Sequence, residues 1–177
     1  MMRIHGFLRA VPALPVLLAL CACGARPGQF PPACPVPARL PPLDEITRYN
    51  GAQDFRNMVV RARVRDITGK CEWGDKGFVV ATVQVVVDAT RGPAMTGDAI
   101  SLPAFVAITD GNDVRDETRF YLPVVFDHNI DTASAVSNGV RMELPITPQK
   151  SAAAYGVVAG FQLAPEEVAA WRRDHHR

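Results

Sequence analysis

Four cysteines are the residues in this chain whose chemistry can be argued most directly from their positions. Cys21 and Cys23 end an apolar N-terminal run, whereas Cys34 and Cys71 lie further along the sequence. A cysteine sulfur can be acylated, can bind a metal ion, or can be oxidised to a disulfide. Which of these reactions applies depends on the compartment, and the residues before Cys21 bear on that question.

The N-terminal run has the features of an export signal. Arg3 and Arg9 precede the apolar stretch Val11 to Leu20. Ten residues are too few to cross a membrane, which takes about 20, but they suit the apolar core of a secretory signal. We therefore expect the first twenty-odd residues to be removed during export.

Leu20-Cys21-Ala22-Cys23 resembles the lipobox of bacterial lipoproteins. The resemblance implies that one cysteine receives a diacylglyceryl group and becomes the new N-terminus after cleavage. Cys21 and Cys23 compete for this role. Signal cleavage favours a small residue just before the cut, and Ala22 meets that requirement where Leu20 does not. We predict a signal peptide over residues 1–22 and lipidation at Cys23, so that the lipid bilayer is the first expected partner.

The number of remaining thiols supports the same choice and predicts a disulfide. Cleavage before Cys23 leaves only Cys34 and Cys71 as thiols, whereas cleavage before Cys21 would leave three. Exported thiols without a metal partner tend to oxidise. A Cys34–Cys71 bond spans 37 positions, for which chain-entropy arguments give about 3 to 4 kcal/mol of stabilisation. The alternative is a pair of buried free cysteines.

Metal and acid–base chemistry find little support in the sequence. Structural zinc needs about four closely spaced Cys or His ligands. His5 leaves with the signal, His128 stands alone, and His175 and His176 lie at the tail. We expect no metal site, no cofactor and no catalytic residues, and therefore predict that the protein is not an enzyme.

Serines and acidic turns have simpler interpretations than catalysis or calcium binding. No serine lies in a G-x-S-x-G pattern; those considered are Ser101, Ser134, Ser137 and Ser151. Adjacent Asp127 and His128 would diverge in an extended segment. The run Asp110-Gly111-Asn112-Asp113 lacks the spaced twelve-residue calcium loop, and it predicts a hairpin turn.

Charge and length limit the remaining functions. Removing residues 1–22 takes away two of the 19 basic side chains and none of the 18 acidic ones. The resulting near-neutral balance argues against nucleic acid as a partner.

We predict a tether over residues 23–43, which holds seven prolines, and one domain over residues 44–177. The ten residues before Cys34 would reach about 30 Å in a polyproline-like conformation; the alternative is a disordered segment that resists proteolysis.

Beyond residue 43 the apolar residues alternate, which is typical of strands with one buried face. The clearest segment runs from Phe78 to Asp88, and other strands are predicted near 58–67, 100–108, 114–126, 140–146 and 155–163. Gly69 and Lys70 are interpreted as a turn, and residues 127–138 as a polar loop. Pro165 opens a short helix over residues 165–173. We predict an all-β fold, an antiparallel β-sandwich for which immunoglobulin-like connections are one arrangement; a small closed β-barrel is the alternative.

Three arginines alternate with apolar residues in the first long strand. Arg61, Arg63 and Arg65, the arginine ladder, would share its solvent face. Guanidinium groups in a row can bind lipid phosphates or an acidic partner. The favoured alternative is pairing with acids on neighbouring strands, a common way to solvate the outer face of a sheet.

A set of segments in the mature domain resembles envelope lipoproteins of alphaproteobacteria that have no assigned activity. The segments are Gly51–Val64, Cys71, Ala89–Ala94, Pro103–Asp110 and Gly160–Leu163. The resemblance implies an envelope location and no catalytic residues. Lipoproteins with aspartate after the acylated cysteine are commonly retained in the inner membrane, and this chain has Gly24 there. We therefore expect the periplasmic face of the outer membrane, with the inner membrane as the alternative.

These observations favour a noncatalytic binding or structural module of the cell envelope. Its expected partner is an envelope protein or a surface polymer. A carrier or chaperone for an apolar molecule, held between the sheets or in a barrel mouth, is the second hypothesis. A hydrolase assembled from distant loops ranks last.

Overall fold

A computed structural model describes residues 31–175, in which nine strands precede one short helix. Two single turns of 3-10 helix lie at Phe55–Asn57 and Ala152–Ala154. The strands are β1 (Pro37–Arg39), β2 (Glu45–Tyr49), β3 (Met58–Trp73), β4 (Phe78–Arg91), β5 (Ala99–Asp110), β6 (Asp113–Val125), β7 (Thr132–Val136), β8 (Val140–Pro145) and β9 (Gly156–Phe161), and the helix is α1 (Pro165–His175).

The strands form two sheets packed face to face, which confirms the predicted β-sandwich. One sheet has the order β1-β9-β5-β6, and the other has the order β2-β3-β4-β7 with β8 also beside β4. Every pair is antiparallel except β1 with β9, which is parallel. Strand β4 has β3 along one side and β8 followed by β7 along the other. It is therefore the centre of the five-stranded sheet.

Alternation along the strands builds the core. Val79, Ala81, Val83, Val85 and Val87 of β4 are all buried on one face, as the sequence predicted. They meet the inward row of the opposite sheet, which includes Leu102, Ala104, Val106, Ile108, Leu122, Val124, Val157, Ala159 and Phe161. Full burial of one such aliphatic side chain contributes about 1.5 to 3 kcal/mol. These two rows pack as a filled interior between the sheets.

A β-bulge at Arg65 changes which residues of β3 face inward. Val64 lies opposite Val87, but the next paired residue, Asp66, lies opposite Val86, so that Arg65 is inserted between them. Inward positions are therefore 60, 62 and 64 before the bulge, and 67, 69 and 71 after it. The bulge allows β3 to continue to Trp73. The turn predicted at Gly69 and Lys70 is wrong; the chain reverses at residues 74–77 instead.

Two further segments differ from the prediction. The predicted loop over residues 127–138 contains strand β7, because Ala133 and Ala135 are small enough to pack beside Ala89 and Val87. The proline-rich segment contributes β1, whose residues 37–39 pair with Val157, Val158 and Ala159. Residues 37–39 thus belong to a sheet rather than to a free tether.

Helix α1 begins as its sequence predicts and ends two residues later than expected. Pro165 occupies its first position, where a missing N–H costs nothing. The Glu167 carboxylate accepts a 2.7 Å hydrogen bond from the Ala164 N–H, which is the acidic half of a capping box. Arg48 of β2 donates to the other Glu167 oxygen at 2.6 Å. This ion pair joins the start of the helix to the five-stranded sheet.

The disulfide predicted between Cys34 and Cys71 is present, with the two Cα atoms 5.6 Å apart. Cys71 is buried on the inward face of β3, opposite Ala81 of β4. The bond therefore ties the chain before β1 to the longest strand of the other sheet.

Replacing both Cys34 and Cys71 with alanine should lower the free energy of unfolding by about 3 kcal/mol, because the unfolded chain regains the freedom of a 37-position loop. Urea unfolding followed by circular dichroism measures the change. Reduced wild-type protein is the control and should unfold near the variant. Unfolding of the variant at the same urea concentration as the oxidised wild type would contradict the assignment.

Gly160 lies where the chain before β2 crosses the four-stranded sheet. A Cβ atom on Gly160 would lie 2.6 Å from the Leu43 carbonyl oxygen, which accepts a hydrogen bond from the Phe161 N–H. Only a residue without a side chain allows that approach.

Gly160→Ala should therefore destabilise the protein by about 1 to 3 kcal/mol, the usual cost of overpacking. Thermal and urea unfolding measure the loss. Gly69→Ala is the matched control, since its added Cβ would meet the Thr82 carbonyl oxygen at an ordinary 3.5 Å. Equal stability of the two variants would rule out the crossing as the cause.

Candidate functional site

A polar cleft of about 580 Å³ lies on the outer face of the five-stranded sheet. Its charged lining residues are three arginines and two acids, and three hydroxyl groups complete its polar wall. We call it the arginine cleft; its polar lining residues are Glu45, Arg61, Arg63, Arg65, Asp88, Thr90, Thr132 and Ser134. Strands β2, β3, β4 and β7 all contribute to it.

Register across the sheet places Arg63 between two carboxylates. Glu45 of β2 is directly opposite Arg63 on one side, and Asp88 of β4 is directly opposite it on the other. Side chains directly across two strands lie about 5 Å apart at their Cβ atoms. The straightforward expectation is that Arg63 pairs with one of these acids.

The ion pairs in the cleft run diagonally instead. Arg61 Nη2 lies 3.3 Å from Glu45 Oε2, and Arg65 Nη1 lies 3.5 Å from Asp88 Oδ1. The Arg61 side chain is 64% exposed and the Arg65 side chain is 53% exposed. Exposed pairs of this kind contribute about 0 to 1 kcal/mol each. Both guanidinium groups can therefore exchange their carboxylate for a ligand at little cost.

Among residues 31–175, Arg63 forms no ion pair within 4.0 Å. Its two opposite acids are already engaged, Glu45 by Arg61 and Asp88 by Arg65. The Ser134 hydroxyl also donates a 2.7 Å hydrogen bond to Asp88 Oδ1. The cleft thus has one uncompensated positive charge at its centre.

The three side chains of the arginine ladder do not all behave in the same way. Two arginines pair with acids on neighbouring strands, as the structural interpretation expected, and Arg63 does not. The acids themselves were missed as site residues. Glu45 lies in a strand that the alternation did not predict, and the partner of Asp88 depends on the bulge at Arg65. Only the register of three strands brings these groups together.

A second concave surface lies on the outer face of the four-stranded sheet and is mainly apolar. This apolar groove has a volume of about 670 Å³. Phe105 and Ala107 of β5 form its floor and are buried, and Glu117 and Arg119 of β6 border it. Other apolar residues that line it are Leu40, Leu43, Val114, Val158, Phe161 and Leu163.

Two of the four serines considered as nucleophiles, Ser134 and Ser137, form hydrogen bonds with strand β4. Ser137 is buried between β7 and β8, and its hydroxyl accepts from the Val85 N–H and donates to the Asn138 carbonyl, both at 2.9 Å. It thereby supplies a hydrogen-bond partner to β4 at the point where the neighbouring strand changes from β8 to β7. The Ser134 hydroxyl donates a hydrogen bond to the Asp88 carboxylate. Neither hydroxyl is hydrogen-bonded to a general base of the imidazole type.

Asp110 of the β5–β6 hairpin is engaged by two cations. Lys150 Nζ lies 2.6 Å from Asp110 Oδ2, and Arg115 Nη2 lies 3.1 Å from the same oxygen. The hydrogen bond and charge of Lys150, followed by those of Arg115, hold the pKa of Asp110 below its usual value. The residues at 111 and 112 form the turn that the sequence predicted.

Within the described range 31–175, no group of three or more His, Cys, Asp or Glu side chains could hold a metal ion. The same part of the chain has no helix long and apolar enough to cross a membrane. The signal peptide, His5, Cys21, the predicted lipidation site Cys23 and His176 lie outside the described residues.

Comparisons of this chain with protein-family models, with curated proteins and with solved structures gave no match.

Lys150→Met should raise the pKa of Asp110 towards its usual value, because Lys150 supplies the largest stabilisation of the carboxylate. Carboxyl-carbon NMR titration measures this directly. Since the folded-state pKa is lowered, the contribution of Asp110 to stability is present at neutral pH and is lost as pH falls through that pKa. The variant should therefore lose part of this acid-range dependence. Lys76→Met is the control; an equal shift in it would contradict the assignment.

Proposed function

We propose that this protein is a lipid-anchored, noncatalytic binding module of the bacterial cell envelope. Its acylated Cys23 would hold it to the bilayer, and its arginine cleft would bind an acidic segment of an envelope protein or surface polymer. Gly24 after the lipidated cysteine favours the periplasmic face of the outer membrane, with the inner membrane as the alternative.

The anchor is supported by the chemistry of the cysteines. The Cys34–Cys71 disulfide suits an oxidising compartment such as the periplasm. That bond uses the two thiols left after cleavage at Cys23, which leaves the Cys23 sulfur for the lipid. An anchor with two or three acyl chains is stable, whereas a single chain gives marginal binding.

Binding is supported chiefly by the charge that remains at Arg63. A guanidinium group presents a planar set of donors that matches a carboxylate or phosphate in two-pronged geometry. Arg63 is flanked by acids that other arginines already hold. An incoming acidic group would meet Arg63 first and would then compete for Arg61 and Arg65, whose own pairs are weak. Thr90, Thr132 and Ser134 offer hydroxyls to the same ligand.

A catalytic role has less support from the cleft. Acyl or phosphoryl transfer needs a nucleophile paired with a base, or a metal ion. The cleft holds arginines, which stay protonated, and acids that are bonded to them. These groups are suited to holding a ligand.

An apolar carrier is the second candidate function, and the apolar groove favours it. Phe105, Leu43 and Leu163 present an apolar surface outside the filled interior. Native mass spectrometry of the protein purified from bacterial cells would detect a retained apolar molecule. Val158→Asp should abolish such retention; a spectrum of the bare polypeptide would argue against this function.

The anchor is tested with two cysteine variants expressed in a bacterial host. Cys23→Ser should be found without lipid, because the acceptor thiol is gone, while Cys21→Ser should be cleaved and acylated normally. Mass spectrometry of the N-terminal peptide, together with membrane fractionation, measures both outcomes. Acylation that persists in Cys23→Ser and is lost in Cys21→Ser would move the anchor to the other cysteine.

The cleft is tested by binding of a defined acidic probe, poly-L-glutamate, measured by fluorescence anisotropy. Arg63→Gln should weaken binding about ten-fold or more, in line with the loss of a charge-assisted hydrogen bond of 1.5 to 3 kcal/mol. Arg141→Gln removes an exposed arginine from β8 of the same sheet and is the matched control. Identical affinities for both variants would exclude the arginine cleft as the site.

A further inference from the structure

The hairpin between β3 and β4 carries two exposed aromatic side chains. Trp73 is 51% exposed and Phe78 is 36% exposed, on either side of the turn at residues 74–77. We call residues 73–78 the hairpin tip. Trp73 lies opposite the buried Val79 at the end of the inward face of β3, and both aromatic rings remain partly exposed to water, which is unfavourable.

Val36 lies at the same end of the domain and is 85% exposed. The disulfide holds Cys34 beside Cys71, with the Cα atoms 5.6 Å apart. Val36 follows Cys34 by two residues, and Trp73 follows Cys71 by two residues. Because two residues of extended chain span about 7 Å, Val36 and Trp73 lie within about 20 Å of each other.

The β5–β6 hairpin belongs to this end as well. Phe78 is paired with Pro145, whose carbonyl accepts a 2.9 Å hydrogen bond from the Tyr155 hydroxyl. The Tyr155 ring lies 4.1 Å from Lys150 Nζ, and Lys150 pairs with Asp110 at the base of that hairpin. Val114, another exposed apolar side chain, lies just beyond. Four exposed apolar residues of the domain therefore lie at this one end of the sandwich, namely Val36, Trp73, Phe78 and Val114.

The lipidated cysteine would hold this same end near the bilayer. The described chain begins at Pro31, three residues before Cys34. Ten residues separate Cys23 from Cys34, a reach of about 30 Å in a polyproline-like conformation. The disulfide fixes the end of that reach to β3, two residues from Trp73. The anchor would therefore hold the hairpin tip close to a lipid surface, where its apolar side chains can leave water.

Charge at this end is balanced, which indicates the kind of lipid contact. Lys70 pairs with Glu72 at 2.8 Å, and Lys150 and Arg115 pair with Asp110. The two hairpins with Lys150 hold four basic and four acidic residues, namely Lys70, Lys76, Arg115, Lys150, Glu72, Asp75, Asp110 and Asp113. Anionic lipids gain nothing from such a surface. Tryptophan, by contrast, favours the boundary between headgroups and acyl chains in any bilayer.

We propose that the hairpin tip, together with Val36, is a bilayer contact that places Trp73 and Phe78 at the level of the lipid headgroups. This inference rests on the proposed acylation at Cys23. It also orients the domain. Arg63 precedes Trp73 by ten residues along β3, so the arginine cleft would lie about 30 Å of strand away from the bilayer contact.

The contact is tested with acylated full-length protein in vesicles of phosphatidylcholine. A Trp171→Phe variant leaves Trp73 as the only tryptophan, since the chain has two. Trp73 emission should be quenched by brominated lipid, and its quenching by aqueous acrylamide should fall about three-fold or more relative to the unlipidated Cys23→Ser form in buffer, because the interface excludes the quencher. Adding phosphatidylglycerol should change neither result.

Phe78→Ser should reduce the shielding of Trp73 in the same assay, while Val136→Ser, an exposed valine on β7, should leave it unchanged. Circular dichroism verifies that both variants keep the fold. Acylated protein whose Trp73 is quenched by acrylamide as in buffer, and not by brominated lipid, would overturn the contact while the anchor stands. Shielding only with phosphatidylglycerol would also overturn it. Absence of diacylglyceryl on Cys23 in the mass spectrum of the same sample would overturn the anchor and the contact together.

Discussion

The antiparallel pairing of β3 with β4 is the interaction on which the rest of the structure depends. Its register fixes which residues of two long strands face the interior and which face water. The inward rows supply ten of the 26 buried residues of the core, and the outward row of β3 supplies the arginine ladder. The same pairing places Cys71 beside the chain before β1 and ends in the hairpin tip. Core, cleft, disulfide and tip therefore follow from one alignment.

Much of this alignment follows from the sequence, and the part that does not has a definite cause. Alternating valines in β4 predict a half-buried strand because side chains of a strand point to opposite faces in turn. The same rule fails in β3 after Val64, where the bulge inserts Arg65 and shifts the inward positions by one. A bulge has no compulsory residue type, so the shift cannot be read from composition. The error at Gly69 and Lys70 follows from it.

The cleft was less predictable than the fold. Alternation places Arg61, Arg63 and Arg65 on one face, which is a local property of β3. Their partners lie on β2 and β4, far apart in the chain, and depend on how three strands are aligned. Strand β1 presents a similar difficulty, because three residues with two apolar side chains give no pattern, and its pairing with β9 is parallel. Chemistry that requires register between distant strands is not visible in a single strand.

The two sheets offer contrasting outer surfaces on one sandwich. The five-stranded sheet carries exposed charges whose mutual pairs are weak and screened by salt. The four-stranded sheet carries Phe105, Ala107 and Val158 beneath the crossing of residues 40–43. Ligands of opposite polarity would thus find separate surfaces, with a filled interior between them. Occupation of one surface leaves the other accessible.

The disulfide also decides how mechanical load would enter the domain. Tension drawn through the N-terminal segment reaches Cys34 before it reaches β1, whose short parallel pairing covers only three residues. The covalent bond diverts that tension into β3, a strand of sixteen residues that is paired on one side along nearly its whole length. Pulling on the attachment point would thus be resisted by many hydrogen bonds at once, and the weakly held β1 would be spared. Reduction of this single bond would reverse the order in which the strands yield.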